Sequence, residues 1–340
     1  MQDWIAYKMT RSLLVQAVST VSTLLPSPPS RTALGGALRS ACFASLPACR
    51  PRMRWPGGAR LAVWIAPNLE FYEYLPQRYP FRDQFARIRH PDVMQWGWRD
   101  YGNRVALWRM ADALADYPVA VTASVNLCVF EHHPEVAQLV RERGWEVMSH
   151  GLYNTHYLGL MDETQERAFH ATSIQIVREH TGQQLAGLLG PCVTNGPRTL
   201  DLLTEAGLGY HADWVHDDVP VPMKTAQGLL WSVPYHYEIN DAPLLEGPHD
   251  AQALVQAACD QFDRLWREAD EQGEGLVYCW PLHPYLIGQP HTVGVMRRVL
   301  DHICSRGEVW HAQARDIVEA ARQSHAGHPA FEAWLAGERP

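Results

Sequence analysis

No stretch of this 340-residue chain approaches the roughly 18 unbroken apolar residues of a membrane-spanning helix, so no spanning segment is expected. Cysteine is sparse and scattered. Cys42, Cys49, Cys128, Cys192, Cys259, Cys279 and Cys304 are odd in number and form no C-x-x-C pair. That spacing argues against a disulfide framework and a zinc ribbon, and points to a reducing, cytoplasmic compartment. Acids are nearly missing from residues 1 to 69, where eight Lys or Arg face the single Asp3; a net charge of −8 therefore leaves about −15 on the remainder. An acidic body does not favour nucleic acid. There is no internal repeat and no low-complexity tract.

What is present is apolar material, 46% of the chain, enough for one large α/β domain or two ordinary ones. Residues 1–53 differ from the rest: they are rich in Ser, Leu, Ala and Arg, and Leu25-Pro26-Ser27-Pro28-Pro29-Ser30 breaks any helix begun before it. They read as an N-terminal extension, with three origins open: a targeting segment, an ordered extension, or an upstream in-frame start with the protein proper beginning near Met53. The main domain is expected over 54–322 and a C-terminal tail over 323–340.

From Arg60 onward short β-rich runs alternate with amphipathic stretches, the pattern of a parallel sheet covered by helices. Strands are expected at Leu61 to Pro67, Val119 to Asn126, Glu146 to Ser149, Leu185 to Leu189, Tyr210 to Trp214, Leu229 to Val233, Gly275 to Leu282 and Val309 to His311. Eight candidates suggest a barrel or a nearly closed sheet. Helices fit between them, among them Asn103 to Tyr117, with Val105, Trp108, Ala111 and Leu114 on one stripe, and Asp162 to Thr181. Phe71 to Gly102, rich in aromatics and arginines, reads as a functional loop or lid, because so long a structureless connection is rare in a compact domain.

Several expected strands end in polar clusters. Ser149-His150-Gly151-Leu152-Tyr153-Asn154 follows one apolar run and Leu282-His283-Pro284 another. In α/β folds ligands sit at the carboxyl ends of the strands, so two such histidines mark a site if their strands share a sheet. Asn68-Leu69-Glu70, Gly190-Pro191, and Asp213-Trp214 with Asp217-Asp218 complete five clusters in chain order.

In this order the clusters resemble the five motifs of the polysaccharide deacetylase superfamily (NodB homology, carbohydrate esterase family 4), over about Arg54 to Ala321. The resemblance implies an α/β fold, a distorted (β/α) barrel of about seven strands. It is closer to the allantoinase-like and imidase-like branch, on Arg54-Trp55-Pro56-Gly57-Gly58-Ala59-Arg60, Asn68-Leu69-Glu70, Asp100-Tyr101-Gly102-Asn103-Arg104, Gly144-Trp145-Glu146 and Pro234-Tyr235 followed by Asn240-Asp241. Members of that branch hydrolyse cyclic ureides and imides, and the resemblance implies a small-molecule substrate and a homo-oligomer.

The departures are informative. The superfamily's deacetylases hold a divalent ion on one Asp and two His. Here His150 fits the first histidine, the second falls on Asn154, and Glu70 stands near the acidic position. A zinc site of Glu70, His150 and Asn154 is conceivable, with His156 as a spare donor, but a metal-free site is the expectation. The third motif, Leu189-Gly190-Pro191-Cys192, lacks the arginine that holds the deacetylases' catalytic aspartate. In a metal-free mechanism Glu70 is the general base, its pKa raised by burial, unless it is tied in a salt bridge to Arg104; His283 is the general acid for the departing nitrogen. Asn68, Asn154 and Arg104 are candidates to stabilise the oxyanion. Asp213, with Trp214 beside it, and Asp217 are placed to orient His283 or hold the substrate, and Asn240-Asp241 to bind the substrate edge or cap a loop. A buried thiol is the reading of Cys192. The expected function is hydrolysis of a non-peptide carbon–nitrogen bond in a small amide, ureide or cyclic imide. The alternatives are a metal-dependent N-acetyl-sugar deacetylase and an inactive barrel used as a binding module.

Overall fold

The alternation of apolar runs and amphipathic stretches becomes one curled sheet flanked by helices. A computed structural model describes residues 50–76, 88–245 and 251–337, all within the compact unit Cys42–Pro340. The expectations for residues 1–49, and for the middle of the Phe71 to Gly102 stretch, lie outside the described residues.

The strands are β1 (Leu61–Leu69), β2 (Thr122–Val125), β3 (Glu146–Ser149), β4 (Gly187–Leu188), β5 (Tyr210–His211), β6 (Val221–Thr225), β7 (Gly228–Ser232), β8 (Leu276–Leu282) and β9 (Val309–His311). Their order is β6-β7-β5-β4-β3-β2-β1-β8, parallel except for the β6–β7 hairpin, with β9 beside the first residues of β1. Register is longest between β1 and β8, from Leu61 opposite Leu276 to Pro67 opposite Leu282. Every residue of both strands is buried, as parallel strands covered on both faces require. The sheet's ends come together where Val277 of β8 donates to the Asp218 carbonyl, just ahead of β6, at 2.9 Å. The result is the distorted (β/α) barrel expected, with all eight expected strands present.

The additional strand is β6. Pro220 and Pro222 weaken Val221–Thr225 as a strand in sequence, but proline is tolerated on an edge, which is where β6 lies. The loop expected up to Gly102 is partly helical: Val93–Tyr101 forms a helix whose N-cap, Asp92, accepts from Gln95 N at 3.2 Å. It passes through a π-helical turn, Gly102–Ala106, into the helix Leu107–Ala115. That turn alters the helix phase, so Val105 of the expected apolar stripe is exposed while Leu107, Met110, Ala111 and Leu114 are buried. The helix Glu163–Thr181 starts on a capping box between Asp162 and Gln165, close to the expected start. The tail expected from residue 323 is helical as far as described: Pro329–Leu335 follows the helix Ala314–His325, and Phe331 and Trp334 are buried. No helix among the described residues is long and apolar enough to cross a membrane.

Candidate active site

Glu70, His150 and His283 stand one residue beyond the carboxyl ends of β1, β3 and β8. Because β8 pairs with β1 and only β2 separates β1 from β3, these ends face one space. The Glu70 Oε1 atom lies 3.5 Å from His150 Nε2 and 3.4 Å from His283 Nε2. The three side chains line a cavity of about 500 Å³ together with Asn68, Tyr72, Asn154, Leu189, Cys192, Val193, Tyr235, Tyr237, Asn240 and Tyr285.

Each of the three is held from behind. The His150 Nδ1–H donates to the Leu189 carbonyl at 2.8 Å, which leaves Nε2 as the nitrogen facing Glu70. His283 Nδ1 lies 2.7 Å from Asp241 Oδ1, and the same carboxylate accepts from the His283 backbone N–H at 2.8 Å through Oδ2. Glu70 Oε2 accepts from the Tyr72 hydroxyl at 2.9 Å, and Tyr72 in turn accepts from Asn154 Nδ2 at 2.5 Å. Two further amides fix the backbone: Asn103, in the π turn, donates to the Glu70 carbonyl at 2.8 Å, and Asn126, beyond β2, accepts from Phe71 N at 2.8 Å while donating to the His150 carbonyl.

The electrostatics differ from the sequence expectation. Burial alone pushes the Glu70 carboxyl up, but the charge of His283 and the hydrogen bonds of both histidines outweigh it and hold the group well below the usual carboxylate range. For His283 burial disfavours the cation, yet Glu70 and Asp241 raise its pKa to about 10, so the imidazolium persists at neutral pH. Asp241 is itself pushed up by burial, against the pull of His283. The centre is a His283 imidazolium set between Glu70 and Asp241, with the Glu70 carboxyl lowered and not raised.

Other expected site residues are placed differently. Arg104 pairs with Asp100 four residues earlier, is 62% exposed at its side chain, and neither bonds Glu70 nor lines the cavity. Asp213 does not reach His283. Its Oδ1 accepts from Gly190 N at 2.6 Å, under the loop that lacks the superfamily's arginine, and burial lifts its pKa to about 7. Trp214 packs edge-on to His211 and His216, away from the cavity lining. Asp217 is bound to Arg50 at 2.8 Å. Asn68, Asn154 and Asn240 do line the cavity, whereas Asp241 orients His283 from behind it. Of the loop aromatics, Tyr72 lines the cavity; Phe71 stacks on His132, Tyr74 packs on Trp96, and Trp98 packs on Tyr285. Tyr235, quoted in sequence only as part of the Pro234-Tyr235 stretch, and Tyr285 are lining residues to which sequence reading gave no role. Cys192 is half-buried at the cavity wall, more accessible than the buried thiol expected, and takes a left-handed φ of 53°.

A catalytic zinc site takes three His, Cys or carboxylate ligands, and the expected set of Glu70, His150 and Asn154 supplies two of them. Among the described residues no group of three or more His, Cys, Asp or Glu is arranged to hold a metal ion. Of the expected set, Asn154 offers only an amide oxygen, and His156 turns to Glu73 at 3.4 Å.

Residues 99–211 match the family model described as polysaccharide deacetylase. A curated relative from Schizosaccharomyces pombe, "Putative polysaccharide deacetylase", is 25% identical over 303 residues, covering 80% of this chain and 93% of the relative. Two solved structures superpose closely. One is a "probable Polysaccharide deacetylase" from Pseudomonas aeruginosa PAO1, with a TM-score of 0.73, 26% identity, and 82% of this chain and 96% of that one covered. The other is Puue allantoinase, with a TM-score of 0.72, 26% identity, and 82% and 95% covered. Residues 99–211 therefore carry the sequence match to the polysaccharide deacetylase family, and the chain as a whole shares its fold with these two structures.

Proposed function

We propose that this protein hydrolyses a non-peptide carbon–nitrogen bond in a small amide, ureide or cyclic imide, with Glu70 as general base and His283 as general acid. The observation that carries the reading is the single carboxylate oxygen, Glu70 Oε1, set 3.4 to 3.5 Å from both imidazole Nε2 atoms, with Asp241 behind His283. A buried imidazolium is poised to protonate a leaving nitrogen, which departs poorly as an anion. As water attacks the carbonyl carbon, its proton passes to Glu70, the carbon–nitrogen bond breaks, and His283 Nε2–H protonates the nitrogen. The low pKa that His283 imposes on Glu70 is relieved as His283 gives up its proton, so the two transfers assist one another. The proton gained by Glu70 then returns to His283 across the same gap. In this reading His150, held by the Leu189 carbonyl and 3.5 Å from Glu70, steadies the attacking water against Glu70. The cavity volume lies in the range of small-molecule sites, and the likeness to an allantoinase favours a ring substrate.

The test is hydrolysis of allantoin, succinimide, hydantoin and an N-acetylated chitooligosaccharide, each with and without chelator, alongside metal content. Chelator-resistant opening of a ring, removed by Glu70→Gln in a protein of unchanged melting behaviour, is the expected result. Chelator-sensitive acetate release with stoichiometric zinc overturns the reading in favour of a sugar deacetylase.

A further inference from the structure

Tyr235, three residues beyond β7, lines the cavity, and its hydroxyl accepts two amide N–H bonds, from Asn68 Nδ2 at 3.0 Å and Asn240 Nδ2 at 3.2 Å. Two accepted bonds occupy the lone pairs of a phenol oxygen and leave its own proton to donate. No acceptor among the described residues takes that proton. Asn68 has the complementary vacancy. Its Nδ2 is occupied by Tyr235, by the Leu282 carbonyl at 3.3 Å and by the Ala66 carbonyl at 3.4 Å, while Oδ1 has no partner although the residue is only 1% exposed. A buried acceptor without a donor is costly to keep unless something supplies the donor.

We infer that Asn68 Oδ1 and the Tyr235 hydroxyl form an acceptor–donor pair that reads the adjacent N–H and C=O of a ring amide, and so select cyclic imides, ureides and lactams. The inference rests on the proposed hydrolase reading and narrows its substrate. Oδ1 and Nδ2 share one carbonyl carbon, so Oδ1 lies one amide group away from the hydroxyl bonded to Nδ2, and both residues line the cavity. In a small ring the amide is cis and presents N–H and C=O on the same edge, whereas an acyclic secondary amide such as a sugar acetamide is trans and presents them on opposite edges. The pair fits the first and not the second. Its orientation is fixed by Asn240, whose Oδ1 accepts from Ala242 N at 2.9 Å, so that its amide cannot turn over without losing a bond. The next residue, Asp241, holds His283, which puts recognition and proton donation on one turn.

The experiment is calorimetric titration of the full-length Glu70→Gln protein with succinimide, N-methylsuccinimide and the trans amide N-methylacetamide, repeated with Asn68→Ala and Tyr235→Phe added singly. Expected is a preference for succinimide over both other probes of about tenfold or more, falling to less than about threefold in either double variant. No detectable succinimide binding, equal binding of the N-methyl ring, or a preference that survives both substitutions overturns the inference. The first two outcomes are read without the added substitutions, so poor folding of a double variant does not shelter it. Selective binding with no ring opening by the wild-type protein would sink the hydrolase reading and leave the recognition pair standing.

Discussion

In the proposed mechanism Asp241, together with Glu70, sets how firmly His283 holds its proton. With the carboxylate present, Glu70 and Asp241 together keep the imidazolium to about pH 10 against the penalty of burial. Turnover is therefore expected to fall only as pH rises through the His283 pKa. The same group adds stability that is fully present below the ordinary imidazole pKa of about 6.5 and is lost as pH climbs through about 10. Asp241→Asn removes one of the two anions, so the alkaline limb of the kcat/KM profile should move to lower pH and kcat fall by roughly 10²-fold or more; an unmoved limb would show that Asp241 does not set this pKa. Glu70, His150 and His283 were legible in the sequence because each follows an apolar run at a strand end. Asp241 was singled out there too, but as a substrate ligand or loop cap, since its partner lies 42 residues away and spacing says nothing of that distance. Arg104 and Asp213 show the opposite failing. A strand end, as for Asp213, or an expected helix start, as for Arg104, locates a residue near the rim of the sheet, but whether its side chain enters the cavity depends on packing that periodicity does not encode.

The π turn Gly102–Ala106 is the element that locks the site and that sequence reading missed. Its extra residue carries Asn103 onto the Glu70 carbonyl at 2.8 Å, and at Gly102 it brings the backbone against Tyr285. A Cβ at Gly102 would stand 2.9 Å from the Tyr285 Cβ and 3.1 Å from its backbone nitrogen, neither of which is a flexible side-chain end. Gly102→Ala should therefore cost about 1–3 kcal/mol in denaturant unfolding, as overpacking does, and should raise KM by displacing Tyr285 from the cavity wall. Unchanged stability would mean that the turn yields easily. Apolar periodicity of 3.6 cannot announce a turn that breaks the period, so of the stripe expected through Val105 the later members Ala111 and Leu114 are buried while Val105 itself is exposed. The long parallel strands were readable because β1 and β8 are buried throughout. The edge strand β6 was not, because its prolines are the residues that strand reasoning discounts.

Closure of the barrel depends on a residue from ahead of the expected domain. Arg50, placed in sequence within the extension, donates to both oxygens of Asp217 at 2.8 Å and to the carboxylate of Glu274 at 3.3 Å. Asp217 leads into β6 and Glu274 into β8, the two ends of the sheet, so one guanidinium spans the seam that the Val277 to Asp218 bond closes. The side chains are 7%, 13% and 3% exposed, and removing one member of so buried a set strands the charges of the others. Arg50→Ala is expected to cost about 3–5 kcal/mol. By contrast Arg167→Ala, at the half-exposed pair with Glu205, should leave the midpoint where it was. A chain begun at Met53 lacks the same clasp and should unfold with Arg50→Ala rather than with the wild type, although Met53 itself is buried in the core. Equal stability of the chain begun at Met53 and the full chain would place the whole closure on β8 and the Asp218 backbone, and would make the Arg50 contacts incidental. Because Glu70 and His283 sit on neighbouring strands while Asn240 and Asp241 come from beyond the seam, any loosening there should also lower the His283 pKa. The alkaline limb of the Arg50→Ala rate profile should accordingly shift in the same direction as that of Asp241→Asn, and by less.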